Sequence, residues 1–112
     1  MIDLEKIRAY TGGDDAFILM LFDKFLSHLD TDLEALQKET AAQNWVGVSA
    51  KAHAMLSSAR IFYLQEIIAL SEKVETACHS GNTSETAQDI DKLVELYKKA
   101  KAEIQEQKKI LA

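Results

Sequence analysis

The sequence predicts an all-α protein, an antiparallel up-down four-helix bundle with a short extra N-terminal helix. Four long segments carry apolar residues at the three- and four-residue spacing of amphipathic helices. The 112 residues include no proline and only four glycines, so little interrupts these helices. Short connections make neighbouring helices antiparallel, and packing their apolar stripes together gives one bundle domain over residues 1–112.

Capping signals bound the first two helices. Residues 2–10 predict a short helix that ends at Thr11-Gly12-Gly13, because glycine readily adopts the left-handed conformation that ends helices. We expect this helix to cover one end of the bundle. Asp14 and Asp15 supply an N-cap for a helix that runs to about Thr40. The apolar residues of its core stripe are Ile18, Phe22, Phe25, Leu26, Leu29, Leu33 and Leu36.

Three further helices follow. Residues 44–62 and 64–79 predict the second and third long helices. Ser80-Gly81-Asn82 predicts a turn, after which the last helix opens near Thr83 or Ser84. The apolar positions of that helix, at helical spacing, are Ile90, Leu93, Val94, Tyr97, Ala100, Ile104 and Leu111.

Composition and charge exclude several classes of function. The chain is 47% hydrophobic and 28% charged, which is typical of a globular protein and not of a disordered one. A net charge of −5 opposes binding to nucleic acid or to anionic membranes. The longest strongly apolar run, residues 16–22, is shorter than the ~20 residues of a membrane span, and no cationic leader precedes it. We therefore expect a cytoplasmic protein without membrane insertion.

His53 is the candidate reactive residue. On a helical wheel with Ala52 at zero, His53 lies at about 100°, on the border of the buried face. The residues within about 80° of Ala52, which form that face, are Trp45, Val48, Met55, Leu56, Ala59, Phe62 and Tyr63. Short side chains such as Ser49 and Ser57 flank it. A neutral imidazole is a good nucleophile near neutral pH. A histidine at a helix border is also commonly a half-buried polar residue, and geometry alone favours that simpler interpretation.

The sequence around His53 changes this balance. The segment Ala52-His53-Ala54-Met55-Leu56-Ser57-Ser58-Ala59-Arg60 resembles the Ala-His-x-Leu-Lys-Gly-Ser-Ala/Ser stretch of histidine-containing phosphotransfer (HPt) domains, and the similarity extends over roughly residues 2–105. The resemblance implies that His53 is phosphorylated and that Ser58 lies near the phosphoryl group. Ser57 is a small neighbour one turn away, and Arg60, about 10 Å along the helix, could fold back towards the phosphoryl group.

What the family does sets the functional expectation. The resemblance implies a phosphocarrier in a phosphorelay, not a turnover enzyme: His53 accepts a phosphoryl group from a receiver-domain aspartate and passes it to a response regulator. Three positions depart from the family pattern: Leu56 stands where the family often has lysine, and Ser57 and Tyr63 stand where it has glycine. Leu56 keeps open an alternative, a non-catalytic helical adaptor that binds receiver domains without phosphorylation.

A partner surface is predicted on the first long helix. Phe17, Met20 and Leu21 point away from its core stripe, and exposed apolar patches tend to mark partner sites. The alternative is that the short N-terminal helix covers them. If the chain reverses at about residue 42, Lys24 lies level with Arg60 and the patch one to two turns beyond His53. The resemblance implies that a receiver domain docks beside the histidine. Our hypothesis is a docking surface that combines Phe17, Met20, Leu21 and Lys24 with His53, Ser57 and Arg60.

The resemblance also sets the expected partners and cofactors. The partners are a sensor or hybrid histidine kinase and the receiver domain of a response regulator. We expect no cofactor on this chain, because the acyl phosphate and Mg²⁺ belong to the receiver, and we expect a monomer. His28 and His79 lack partners at metal-ligand spacing and are interpreted as surface histidines. Cys78 is the only cysteine, which excludes a disulfide framework and a cysteine-based zinc site.

Overall fold

The computed structural model describes residues 2–112. They form four long helices arranged in a ring and one short helix that packs against it. Within those residues there are five helices and no strand. Each long helix packs on the next, and the last returns to the first, which confirms the predicted up-down bundle. Its principal dimensions are 43 × 22 × 18 Å. The helices are α1 (Leu4–Thr11), α2 (Asp15–Ala41), α3 (Trp45–Ile61), α4 (Gln65–Ser80) and α5 (Thr86–Leu111).

The end of α1 and the start of α2 follow the capping signals in the sequence, but the start of α5 does not. The Asp14 carboxylate accepts hydrogen bonds from the first-turn amides of α2, and Gly12, with φ of 84°, ends α1 in the left-handed region. The prediction that the last helix opens near residue 83 or 84 was wrong. The Thr86 amide donates to the Thr83 carbonyl in a tight turn, and the buried Thr86 side chain fixes the first position of α5.

The predicted apolar stripes form the core. Every residue of the α2 stripe is buried except Leu26, which is partly buried and packs against the core. In α5 the stripe is buried from Ile90 to Ile104, and Leu111 is partly buried near the helix end. Ile2 and Ile7 also reach the core. These two side chains hold the N-terminal segment against one end of the bundle, as predicted.

Contacts between helices fix the part of α3 that carries His53. Tyr97 of α5 is buried, and its hydroxyl donates to the Met55 carbonyl at 3.4 Å. Burial raises the pKa of the Tyr97 phenol, so its hydroxyl keeps its proton and remains a donor. On the other side, Lys51 forms an ion pair with Asp32 of α2 at 2.7 Å. The turns before and after His53 are therefore tied to two neighbouring helices.

Candidate functional site

His53 lies in the middle of α3, and its ring has one hydrogen-bond partner within residues 2–112. Nδ1 lies 2.7 Å from Oε1 of Glu75 on α4. The His53 side chain is 67% exposed, whereas that of Glu75 is only 17% exposed. A largely buried carboxylate thus holds one edge of an exposed imidazole in a fixed orientation.

This contact determines which ring nitrogen can react. An ionised carboxylate only accepts hydrogen bonds, so Nδ1 of His53 must carry the proton that it donates to Glu75. In the neutral imidazole the lone pair then lies on Nε2. Since the two nitrogens lie on different edges of the ring, Nε2 points away from α4. The site presents a nucleophilic nitrogen on an exposed side chain.

The helix surface around His53 is formed by small residues. Ala54 and Ser57 are exposed, and Ser58 is half-buried on the side that faces α2. Leu56 is only 1% exposed, so the position where the HPt signature often has lysine belongs to the packed interior here. No bulky side chain of α3 therefore stands beside the exposed edge of His53, and no cation follows it within one turn.

The register of α2 against α3 is fixed at two levels. Asp32 pairs with Lys51, and the Phe22 ring packs on the Phe62 ring with centroids 5.3 Å apart. Because the helices are antiparallel, these pairs place Lys24 level with Arg60, as predicted. They also place His53 opposite a point near residue 31 of α2.

The predicted apolar patch is exposed but lies farther from His53 than expected. Phe17 is 40% exposed and Met20 56% exposed, so α1 does not cover them. Leu21 differs, because it is partly buried and packs against the core. The expected separation of one to two turns was wrong: eleven residues separate Met20 from the point opposite His53, which is about 16 Å along the axis.

Two cations of the predicted surface are available to a partner. The Lys24 and Arg60 side chains are exposed, and neither forms an ion pair with another side chain of residues 2–112. The two other lysines of α2 and α3 are paired, Lys51 with Asp32 and Lys38 with Glu34. The α2–α3 face therefore carries two free positive charges about 10 Å beyond His53 along the axis.

Sequence reasoning missed Glu75 as a site residue. A signal for it exists, because α3 and α4 form a hairpin that reverses near Leu64, and His53 and Glu75 lie at equal distances on either side of that residue.

Glu75 also affects a thiol on its own helix. Burial and the nearby Glu75 charge raise the pKa of the half-buried Cys78 thiol, so Cys78 is protonated at neutral pH.

Residues 2–112 contain neither a metal-binding cluster nor a membrane-spanning helix. Within residues 2–112, no three histidine, cysteine, aspartate or glutamate side chains are grouped so that they could hold a metal ion. None of the helices described has the length and apolar character needed to cross a membrane. His28 and His79 are both exposed.

Comparison with known proteins identifies the family. The family model of the Hpt domain matches residues 20–106, which is most of the chain and includes α3 and His53. The chain has no significant match among curated proteins or among solved structures. The family match, the helical bundle and the exposed histidine on its second long helix agree with one another. The chain belongs to the Hpt domain family of phosphorelay histidine phosphotransfer modules.

Proposed function

We propose that this chain is a phosphocarrier: His53 accepts a phosphoryl group from a receiver-domain aspartate and passes it to a response regulator. One observation carries the proposal. His53 is exposed, and its Nδ1 is held by the Glu75 carboxylate, which leaves the Nε2 lone pair free towards solvent. Membership of the Hpt family supports the same role, since these domains act between histidine kinases and response regulators.

The proposed chemistry needs few groups from this chain. The Nε2 lone pair of His53 attacks the phosphorus of the receiver's acyl phosphate, a P–N bond forms, and the P–O bond to the receiver aspartate breaks. The aspartate leaves as a carboxylate. The ring gains positive charge, which the Glu75 carboxylate at Nδ1 stabilises. Return of the phosphoryl group to a second receiver reverses these steps.

The docking surface in this proposal has a polar part and an apolar part. The polar part lies near His53 and consists of Ser57 and Ser58, with Arg60 and Lys24 farther along the same face. The apolar part lies farther along α2 and consists of Phe17, Met20 and the partly buried Leu21. The described separation of about 16 Å fits within one standard interface of roughly 800 Å² per partner. Acidic groups at a receiver's phosphorylation site would meet the two free cations.

Other parts of the proposal follow from this chemistry. Mg²⁺ and the acyl phosphate belong to the receiver, so the chain itself uses no cofactor. We propose that the protein acts as a monomer, because the partner must reach an exposed face of α2 and α3. We also propose that it is cytoplasmic. The competing hypothesis is an adaptor that binds receivers without phosphorylation, and the buried Leu56 in place of a lysine favours it.

The deciding experiment is transfer of labelled phosphoryl from a phosphorylated receiver or a cognate kinase. Wild type, His53→Gln and His79→Gln are compared. His79 is also exposed and lies at the end of α4, so it is the matched control. We expect label on wild type and His79→Gln that is stable in alkali and lost in acid, and none on His53→Gln. Receiver binding without any label on wild type would instead establish the adaptor.

A further inference from the structure

A groove between α2 and α3 opens beside His53. Its volume is about 180 Å³. Lys24 and His28 line it from α2, and Ala54, Ser57 and Ser58 line it from α3. His53 itself does not line the groove, but Ala54 directly follows it and Ser57 lies one helical turn beyond it, so the groove lies along the adjoining stretch of α3.

The ring orientation directs Nε2 away from α4 and towards the outer surface of α3. Glu75 holds Nδ1 on the α4 side. The opposite edge of the ring is therefore free, and only small residues of α3 lie between it and the groove. A group attached to Nε2 meets no bulky α3 side chain on this path, because Ala54 and Ser57 are its neighbours.

The groove carries the Lys24 ammonium and the His28 ring, which can both interact with an anion. Lys24 and His28 are one turn apart on α2, and neither side chain has a hydrogen-bond or ion-pair partner among residues 2–112. Asp32 is the single carboxylate in the lining, and Lys51 already pairs with it at 2.7 Å. By contrast, the α4 side of His53 presents the Glu75 carboxylate. An anion on Nε2 is thus repelled from one side and attracted from the other.

We propose that this groove is an oxyanion subsite for the phosphoryl group on His53, with Lys24 and His28 as positioning residues and Ser57 as a hydroxyl donor. This inference rests on the proposed function. The α2–α3 register places His28 about one turn from the level of His53, and the long Lys24 side chain extends from about two turns away. A phosphoryl group carries close to two negative charges at neutral pH, and the Lys24 ammonium and a His28 ring N–H can both donate to its oxygens.

The test uses phosphoramidate, a small phosphodonor, so that no partner protein is needed. Wild type, the double variant Lys24→Met/His28→Asn and the control Lys92→Met are phosphorylated at low salt. Lys92 is an exposed lysine of α5 with no ion-pair partner in the described chain. The lifetime of phosphorylated His53 is followed by ³¹P NMR, together with the pH at which the phosphoryl group gains its last proton.

We expect the double variant to shorten the lifetime roughly three- to tenfold and to raise the phosphoryl titration midpoint, because the Lys24 charge and the His28 ring N–H stabilise the dianion. High salt should reduce both differences. Lys92→Met should match wild type.

The outcomes separate the two proposals. If wild type takes no label from phosphoramidate or from a receiver, the proposed function fails. If wild type is labelled but the double variant keeps the same lifetime and titration midpoint, the subsite fails and the phosphocarrier role stands. An equal effect of Lys92→Met would also overturn the subsite, because it would reduce the effect to overall charge.

Discussion

The middle and the α1 end of the α2–α3 face differ in composition and in the contacts of their side chains. In the middle, one ring is fixed by a largely buried carboxylate among small residues. At the α1 end, Phe17 and Met20 expose large apolar surface. Under the proposed function, this domain separates phosphoryl chemistry from partner recognition along one face. Variants of one region at a time test this separation.

The largest expected effect is on chemistry alone. His53→Gln should abolish phosphoryl acceptance but change the Kd for a receiver by less than about threefold, since an exposed side chain outside a central apolar contact contributes little to affinity. Labelling and calorimetric titration with the same receiver measure the two quantities. A large loss of binding in His53→Gln would contradict the separation of the two regions.

The next largest effect is on the stability of the protein, through the buried Leu56 beside His53. Leu56→Lys should not add a useful cation, because Leu56 is 1% exposed. Burying an ammonium and losing the Leu packing should lower the free energy of unfolding by about 2–4 kcal/mol, as measured by urea denaturation. Leu56→Met, which conserves volume, is the control and should cost less than about 1.5 kcal/mol. Equal stability of the two variants would show that this side chain can leave the interior.

Glu75 should act on the rate and not on binding. Glu75→Leu removes the acceptor at Nδ1, so the ring loses its fixed tautomer and orientation, and transfer at saturating receiver should slow roughly ten- to a hundredfold. Glu75→Gln retains a carbonyl oxygen that can accept from Nδ1 and should be faster than Glu75→Leu. Rapid-quench transfer with both variants tests this order, and identical rates would remove Glu75 from the mechanism.

The apolar end should show the reverse pattern. Phe17→Ala combined with Met20→Ala should weaken receiver binding by about 1–2 kcal/mol, a five- to thirtyfold rise in Kd, while transfer at saturation stays near wild type. Val46→Ala is the control, because Val46 is 83% exposed and lies at the start of α3. Unchanged Kd in the double variant would exclude this surface from docking.

The smallest effect concerns backbone strain at the α1 end. Tyr63 has a positive φ of 55°, a conformation that glycine adopts without penalty. Its ring packs edge-on against Tyr10, with centroids 6.4 Å apart. Both Tyr63→Ala and Tyr63→Gly lose this contact, but only alanine keeps the strain. Thermal unfolding should therefore find the glycine variant more stable than the alanine variant by about 1 kcal/mol.

The fold was predictable because helical periodicity repeats in every long segment. The stripe from Ile18 to Leu36 recurs at regular spacing, and Asp14 marks the start of α2 as a cap. The start of α5 was missed by two or three residues. Thr83 and Ser84 have the chemistry of N-caps, but burial of Thr86, a tertiary effect, decides where the helix begins.

The site was predictable only within one helix. His53, Ser57 and Arg60 share a face of α3, and their relation follows from helical geometry. Glu75 depends on how α3 and α4 are aligned, and helical periodicity does not fix that alignment. The reversal near residue 42 was predicted correctly and places residue 31 opposite His53, so the larger separation of Met20 follows from the rise of about 1.5 Å per residue along α2.

The contact between His53 and Glu75 also bears on the direction of signalling. If the proton at Nδ1 stays shared with the carboxylate while Nε2 gains and loses the phosphoryl group, neither step has to exchange a proton with water. The carrier then imposes no preferred direction of its own. Whether phosphate flows forwards to a regulator or backwards to its source is set by the relative phosphoryl-transfer potentials of the two partners.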